Sequence, residues 1–231
     1  MRRRLVGVLL ALMLTTGAVA AGAGSSSNAN TRGVVLFVGD SNVTLSANTI
    51  DWTLTWFEHH NNGYVPVLAS RVGAAIRTAS CLDPSGCTRF DYWKLKLASI
   101  LAKVDADAIV NDLGINDAYA PGTGTTPGYS QYDQKIDWFM DLVGGKPVLW
   151  TNLPCAIEPP DLMTGCKAVN HALSMARDRW PNLTVLAWSD VANRHPEYMK
   201  YPGDDVHYSV AGQVAWSRFV VGALDARFPA P

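Results

Sequence analysis

Five short apolar runs, parted by longer stretches with helical periodicity, constrain this sequence more than any other feature. Val34–Val38 is continuously apolar and stops at Gly39, as a strand buried on both faces does. Val65–Ala69, Ala108–Val110, Val148–Trp150 and Leu183–Ala187 read as further strands. Between them, Ile136, Phe139, Met140 and Val143 share one helical face. Val169, Leu173 and Ala176 share another before Pro181 stops the turn, and Val210–Leu224 reads as a closing helix. Strands that alternate with helices need crossover connections. The expected fold is therefore α/β, a central parallel sheet with helices on both sides.

The amino terminus is expected to lie outside that fold. Met1 is followed by Arg2, Arg3 and Arg4, an apolar run from Leu5 to Leu14, and small residues through Ala23. This is the layout of a secretory signal peptide over residues 1–23, with the cut after Ala20 or Ala23. The apolar run is shorter than the roughly 20 residues of a membrane span, so no stable span is expected. Residues 24–32, with three serines and two asparagines, read as a flexible leader, and residues 33–231 as one domain. A chain of that size buries about 70% of the surface it exposes when unfolded, so its core needs no metal. No cofactor is expected, and a monomer is.

Removing the three leader arginines leaves 16 Lys plus Arg against 20 Asp plus Glu, a net charge of −4. That balance argues against nucleic acid as a partner. All four cysteines, Cys81, Cys87, Cys155 and Cys166, lie in the exported part, where an even count points to two disulfides. Of three connectivities the two local ones are favoured, Cys81–Cys87 and Cys155–Cys166. The spacings do not match the paired C-x₂-C pattern of zinc sites.

Four segments carry chemistry. Gly39-Asp40-Ser41-Asn42 puts a serine just past the first strand and at the start of a helix. Its hydroxyl is expected to be exposed there, and its backbone N–H free to face a developing negative charge. Alone, such a triplet is equally a turn and a helix cap. Asp204-Asp205-Val206-His207, near the carboxyl terminus, lets one loop supply a base for the serine and a carboxylate that holds the base's tautomer. Asp205 is too close to His207 to reach the same ring nitrogen easily, so Asp204 is placed in that role. Gly114-Ile115-Asn116-Asp117 follows the third strand, where an asparagine amide can donate to an oxyanion. Gly73 follows the second strand and can bring its backbone N–H to the same point.

In combination these segments resemble the blocks of the SGNH, or GDSL-type, hydrolases over most of residues 33–226. Gly39-Asp40-Ser41 is similar to that family's first block, Gly73 to its second, Gly114-x-Asn116-Asp117 to its third and Asp204-x-x-His207 to its fifth. The resemblance implies a three-layer α/β/α sandwich with strand order 2-1-3-4-5. It implies Ser41 as nucleophile, His207 as base and Asp204 as its orienting partner. The oxyanion donors would be the Ser41 and Gly73 backbone N–H groups and the Asn116 side chain.

The expected activity is hydrolysis of an O-acyl ester, on a glycan or a lipid, by a secreted enzyme. Acyl transfer uses the same residues, and a carbohydrate-binding protein on a retired hydrolase fold would need a triad member lost. Asn42 stands where lipase-like members often carry leucine, which favours short acyl groups on a carbohydrate over long-chain lipids. Trp52, Trp56, Phe57 and Tyr64 could stack on a sugar, line an acyl groove or simply be core. Asp190, after the fifth strand, is a rival for the triad acid.

Overall fold

A computed structural model describes residues 32–43, 63–71, 73–76, 92–118, 129–155, 160–199 and 206–228. The strands are β1 (Gly33–Gly39), β2 (Tyr64–Ser70), β3 (Ala108–Asn111), β4 (Val148–Thr151) and β5 (Leu183–Leu186). They form one parallel sheet in the order β2-β1-β3-β4-β5. The helices are α1 (Tyr92–Leu101), α2 (Ile115–Ala118), α3 (Tyr129–Val143), α4 (Pro160–Arg179), α5 (Trp188–Ala192) and α6 (Val210–Arg227). A 3₁₀ turn spans Pro196–Tyr198.

The strand alternation sorts side chains into two cores. Leu36, Val38, Ile109, Val148 and Trp150 face one way, against Trp93 and Leu97 of α1, Ile136 and Phe139 of α3, and Val169 and Leu173 of α4. Val35, Phe37, Ala108, Val110 and Leu149 face the other way, against Trp188 of α5 and Trp216, Val220 and Leu224 of α6. A period of two along each strand thus puts apolar side chains on both faces, and each face is covered by helices. This is the expected three-layer sandwich, in the expected strand order.

The middle strands β3 and β4 are buried throughout, whereas the edge strand β2 is only partly buried and carries Pro66. A sheet edge tolerates proline because one side of the strand needs no partner. Observed ends differ from the expected ones by a few residues at most. Ala187, expected to end the fifth strand, instead stands as the N-cap of α5. Helix α6 runs three residues past Leu224 to Arg227. No helix among the described residues is long and apolar enough to cross a membrane.

Candidate active site

Strand β1 passes directly into helical residues 41–43. A Cβ on Gly39 would lie 2.3 Å from Val43 Cγ2, so only glycine lets the helical turn fold back onto the strand end. Asp40 braces the turn, its Oδ1 accepting from the Asn42 N–H at 3.0 Å. Ser41 therefore emerges at the carboxyl end of an interior strand, beside the point where strand order reverses. Open parallel sheets hold ligands there.

His207 reaches this point from the segment ahead of α6. Its Nε2 lies 2.8 Å from Ser41 Oγ, although the residues are 166 apart in the chain. The start of α6 is anchored just after it. Ser209 caps the helix by accepting from the Gly212 N–H at 3.1 Å, and its N–H donates to the Tyr198 carbonyl at 2.9 Å. A neutral imidazole at this distance can take the hydroxyl proton as the oxygen attacks. Ser41 is only 5% exposed, so the expected open hydroxyl is instead covered, with the imidazole against it.

The loops after β2 and β3 are tied to this turn. Gly73 has φ +72°, a left-handed conformation in a turn closed by Ala74 N–H donating to the Arg71 carbonyl at 3.0 Å. Asn116 Nδ2 donates to the Ala74 carbonyl at 2.9 Å and to Asp40 Oδ2 at 3.1 Å. One amide thus joins the Gly73 loop, the third block and the serine turn. Asp117 adds a brace from beneath, with Oδ2 accepting from the Ile76 N–H at 2.7 Å and Oδ1 from Lys135 Nζ at 2.8 Å. That ion pair is buried.

Two further buried acids surround the site. Burial raises the Asp40 carboxyl well above the ordinary aspartate range, and the nearby Asp112 and Asp117 carboxylates add to the shift. Burial pushes Asp112 up to about 7, an effect partly offset by hydrogen bonds from the Thr151 and Tyr208 hydroxyls. Thr151 Oγ1 and the Tyr208 hydroxyl both donate to Asp112 Oδ1, the latter at 3.4 Å. Burial also raises the Tyr208 phenol, reinforced by Asp112.

The structure thus brings Ser41, His207, Asn116 and the Gly73 loop together. Asp204 lies outside the described residues, as do Cys81, Cys87, Trp52, Trp56 and Phe57. The pairing Cys155–Cys166 is present, with the two Cα atoms 5.6 Å apart. Asp190 is exposed on α5, and among the described residues no contact joins it to His207.

The structure places two further residues, and for Tyr64 the core alternative holds. Tyr64 begins β2 at the end of the parallel sheet opposite Ser41, and its hydroxyl donates to the carbonyls of Leu224 (3.1 Å) and Phe228 (3.2 Å). It is a buried anchor for the end of α6. Asn42 is 6% exposed, and its Oδ1 accepts from the Tyr208 N–H at 3.0 Å. It faces the histidine segment. Asp112, Thr151, Lys135 and Tyr208 were not singled out from sequence. The available signals were the place of Tyr208 next to His207 and an aspartate just beyond a strand's carboxyl end.

No family model matches the sequence, and no curated protein matches it. Solved structures do. A GDSL-like lipase from Bacteroides thetaiotaomicron is similar at 17% identity and TM-score 0.61, over 85% of this chain and 89% of that one. A carbohydrate acetylesterase family member from Sinorhizobium meliloti superposes at 16% identity and TM-score 0.63, over 85% and 99%. The C-terminal catalytic domain of peptidoglycan O-acetyltransferase A from Streptococcus pneumoniae does so at 18% identity and TM-score 0.58, over 87% and 97%.

The fold is that of the SGNH hydrolases. In an SGNH-type sandwich, Ser41, Gly73 and Asn116 stand beyond the carboxyl ends of β1, β2 and β3, which are neighbours in the sheet.

Proposed function

We propose that this protein is an exported serine esterase that cleaves an O-acyl ester through an acyl-enzyme on Ser41. The observation that carries the reading is the 2.8 Å separation of Ser41 Oγ and His207 Nε2 at the carboxyl end of the sheet. Ser41 Oγ attacks the acyl carbonyl while its proton passes to His207 Nε2. The bond to the alcohol oxygen then breaks, and the imidazolium returns that proton to the departing alkoxide. Water attacks the acyl-enzyme, giving a proton to His207. The bond to Ser41 Oγ then breaks, the acid leaves, and Ser41 takes the proton that His207 received from water. Asp204 orients the ring through the other nitrogen.

The negative oxygen formed in each half-reaction is assigned to the backbone N–H groups of Ser41 and Gly73 and to the Asn116 amide. Without substrate, Asn116 Nδ2 donates to Ala74 and Asp40. Its role as a donor to the substrate means sharing or exchanging one of these acceptors when the oxyanion forms.

A short acyl group on a carbohydrate is the substrate class we favour. The support is the leader sequence together with the likeness in fold to a carbohydrate acetylesterase family member. Acyl transfer to an alcohol acceptor is the second reading, favoured by the likeness to the peptidoglycan O-acetyltransferase domain. Product analysis with a competing sugar acceptor separates the two. Ser41→Ala should lower kcat on p-nitrophenyl acetate by about 10⁴-fold or more with the far-UV spectrum unchanged. Retention of more than a tenth of the activity would remove Ser41 from the mechanism. A rise of kcat/KM to a maximum at octanoyl or longer esters would replace the short-chain assignment with a long-chain one.

A further inference from the structure

The residue that follows His207 is held at every polar group it has. The Tyr208 N–H donates to Asn42 Oδ1 at 3.0 Å, and its carbonyl accepts from Gln213 Nε2 at 3.2 Å. Its hydroxyl donates to Asp112 Oδ1 at 3.4 Å, and its ring stands edge-on to Trp188, with centroids 5.8 Å apart. Asn42, Asp112, Gln213 and Tyr208 are all buried. Of these ties the first is distinct, because Asn42 is bonded into the turn that carries Ser41. Its own N–H donates to Asp40 Oδ1 at 3.0 Å. A single side chain thus joins the nucleophile's turn to the main chain one residue from the base, by a route independent of the Ser41–His207 contact.

Proton transfer between two groups depends steeply on their separation and alignment, and misplacement by about 1 Å can cost about 10²-fold in rate. Two segments 166 residues apart have no covalent reason to keep such a register. A buried hydrogen bond from the Asn42 side chain to the partner's main chain supplies one, and it costs the fold little, because the Tyr208 N–H would otherwise be buried without an acceptor.

We propose that Asn42 is a positioning residue for His207, its side-chain carbonyl fixing the imidazole against Ser41 through the main chain of Tyr208. This rests on the assignment of Ser41 and His207 as nucleophile and base. A residue that acts through the histidine should show its removal in kcat, and the effect should disappear when the histidine is absent.

The test is a double-mutant cycle on p-nitrophenyl acetate, with the rate of Ser41 phosphonylation by a fluorophosphonate as a second readout. Asn42→Leu keeps the branched shape of the side chain, with somewhat more bulk, and removes the acceptor. It should lower kcat and the phosphonylation rate together by about 10- to 100-fold, with KM within about twofold. Asn42→Asp keeps an acceptor oxygen and should stay within about fivefold of the parent. In a His207→Ala background, Asn42→Leu should cost less than about twofold. Gln213→Leu, which loosens the second main-chain tie of Tyr208, should repeat the pattern more weakly. It serves as the decisive variant if Asn42→Leu does not fold. An unchanged kcat in either variant, or an equal loss with and without His207, would overturn the proposal. Loss of activity in Ser41→Ala and His207→Ala alone, with Asn42→Leu fully active, would leave the esterase reading standing and remove only this inference.

Discussion

Asp112 and Asp117 are five residues apart, both buried, and held in opposite ways. Asp117 has a cation, Lys135 Nζ at 2.8 Å, and the Ile76 N–H at 2.7 Å. Asp112 accepts from the hydroxyls of Thr151 and Tyr208, has no ion pair among the described residues, and is pushed by burial up to about 7. The first is an ion paired with an ion, bracing the loop that carries Gly73. The second holds its proton through the acidic range and sits under the segment that carries His207. The difference teaches that the site is supported on its two sides by different physics. On the Gly73 side the support is an ion pair, and on the His207 side an acid that accepts from two hydroxyls and that burial pushes up to about 7.

Lys135→Met tests the charged side and should have the larger effect. It leaves the Asp117 carboxylate buried without its cation, so urea unfolding should show a loss of about 3–5 kcal/mol at pH 7. A loss below about 1 kcal/mol would mean that the pair does not brace the loop, and the contrast between the two aspartates would collapse.

Asp112→Asn tests the neutral side through its pH dependence. With its pKa raised to about 7 from the ordinary 3.8, native Asp112 keeps a proton that the unfolded chain releases. Its stabilising contribution is complete below the unfolded value and is lost as pH rises toward about 7. The wild type should therefore lose stability relative to Asp112→Asn across that window, by at most about 4 kcal/mol. Parallel stability curves for the two proteins between pH 4 and 7 would show that Asp112 does not hold its proton in the fold.

Asn116 stands between the two sides, donating to Ala74 and Asp40. If Asn116 is an oxyanion donor, Asn116→Ala should lower kcat by roughly 10²–10³-fold with little change in KM, because such a donor contributes mainly once the oxyanion forms. An effect confined to KM would make it a ground-state contact.

Much of the scaffold was legible in the sequence because it follows from local patterns. Val34–Val38 and Val148–Trp150 are apolar at every position, and a strand covered on both faces requires that. Ser41, His207 and Asn116 were legible as residue types at strand ends and near a closing helix. Contacts across the fold were not. Asn42 adjoins Ser41, yet its side chain turns to Tyr208, far along the chain. Tyr64 is near Ser41 in sequence but lies at the opposite end of a parallel strand, because the chain must return across the sheet before β2 begins. Asp112 becomes an unusual acid only because the fold buries it, and nothing local to Asn111-Asp112-Leu113 announces that.

The central claim is that His207 makes Ser41 a nucleophile, and the most direct measurement is covalent labelling with a fluorophosphonate. Intact mass and peptide mapping should find one adduct per chain, on Ser41. The labelling rate should fall by about 10³-fold or more in His207→Ala. An adduct on any other residue, or a labelling rate unchanged by His207→Ala, would contradict the account.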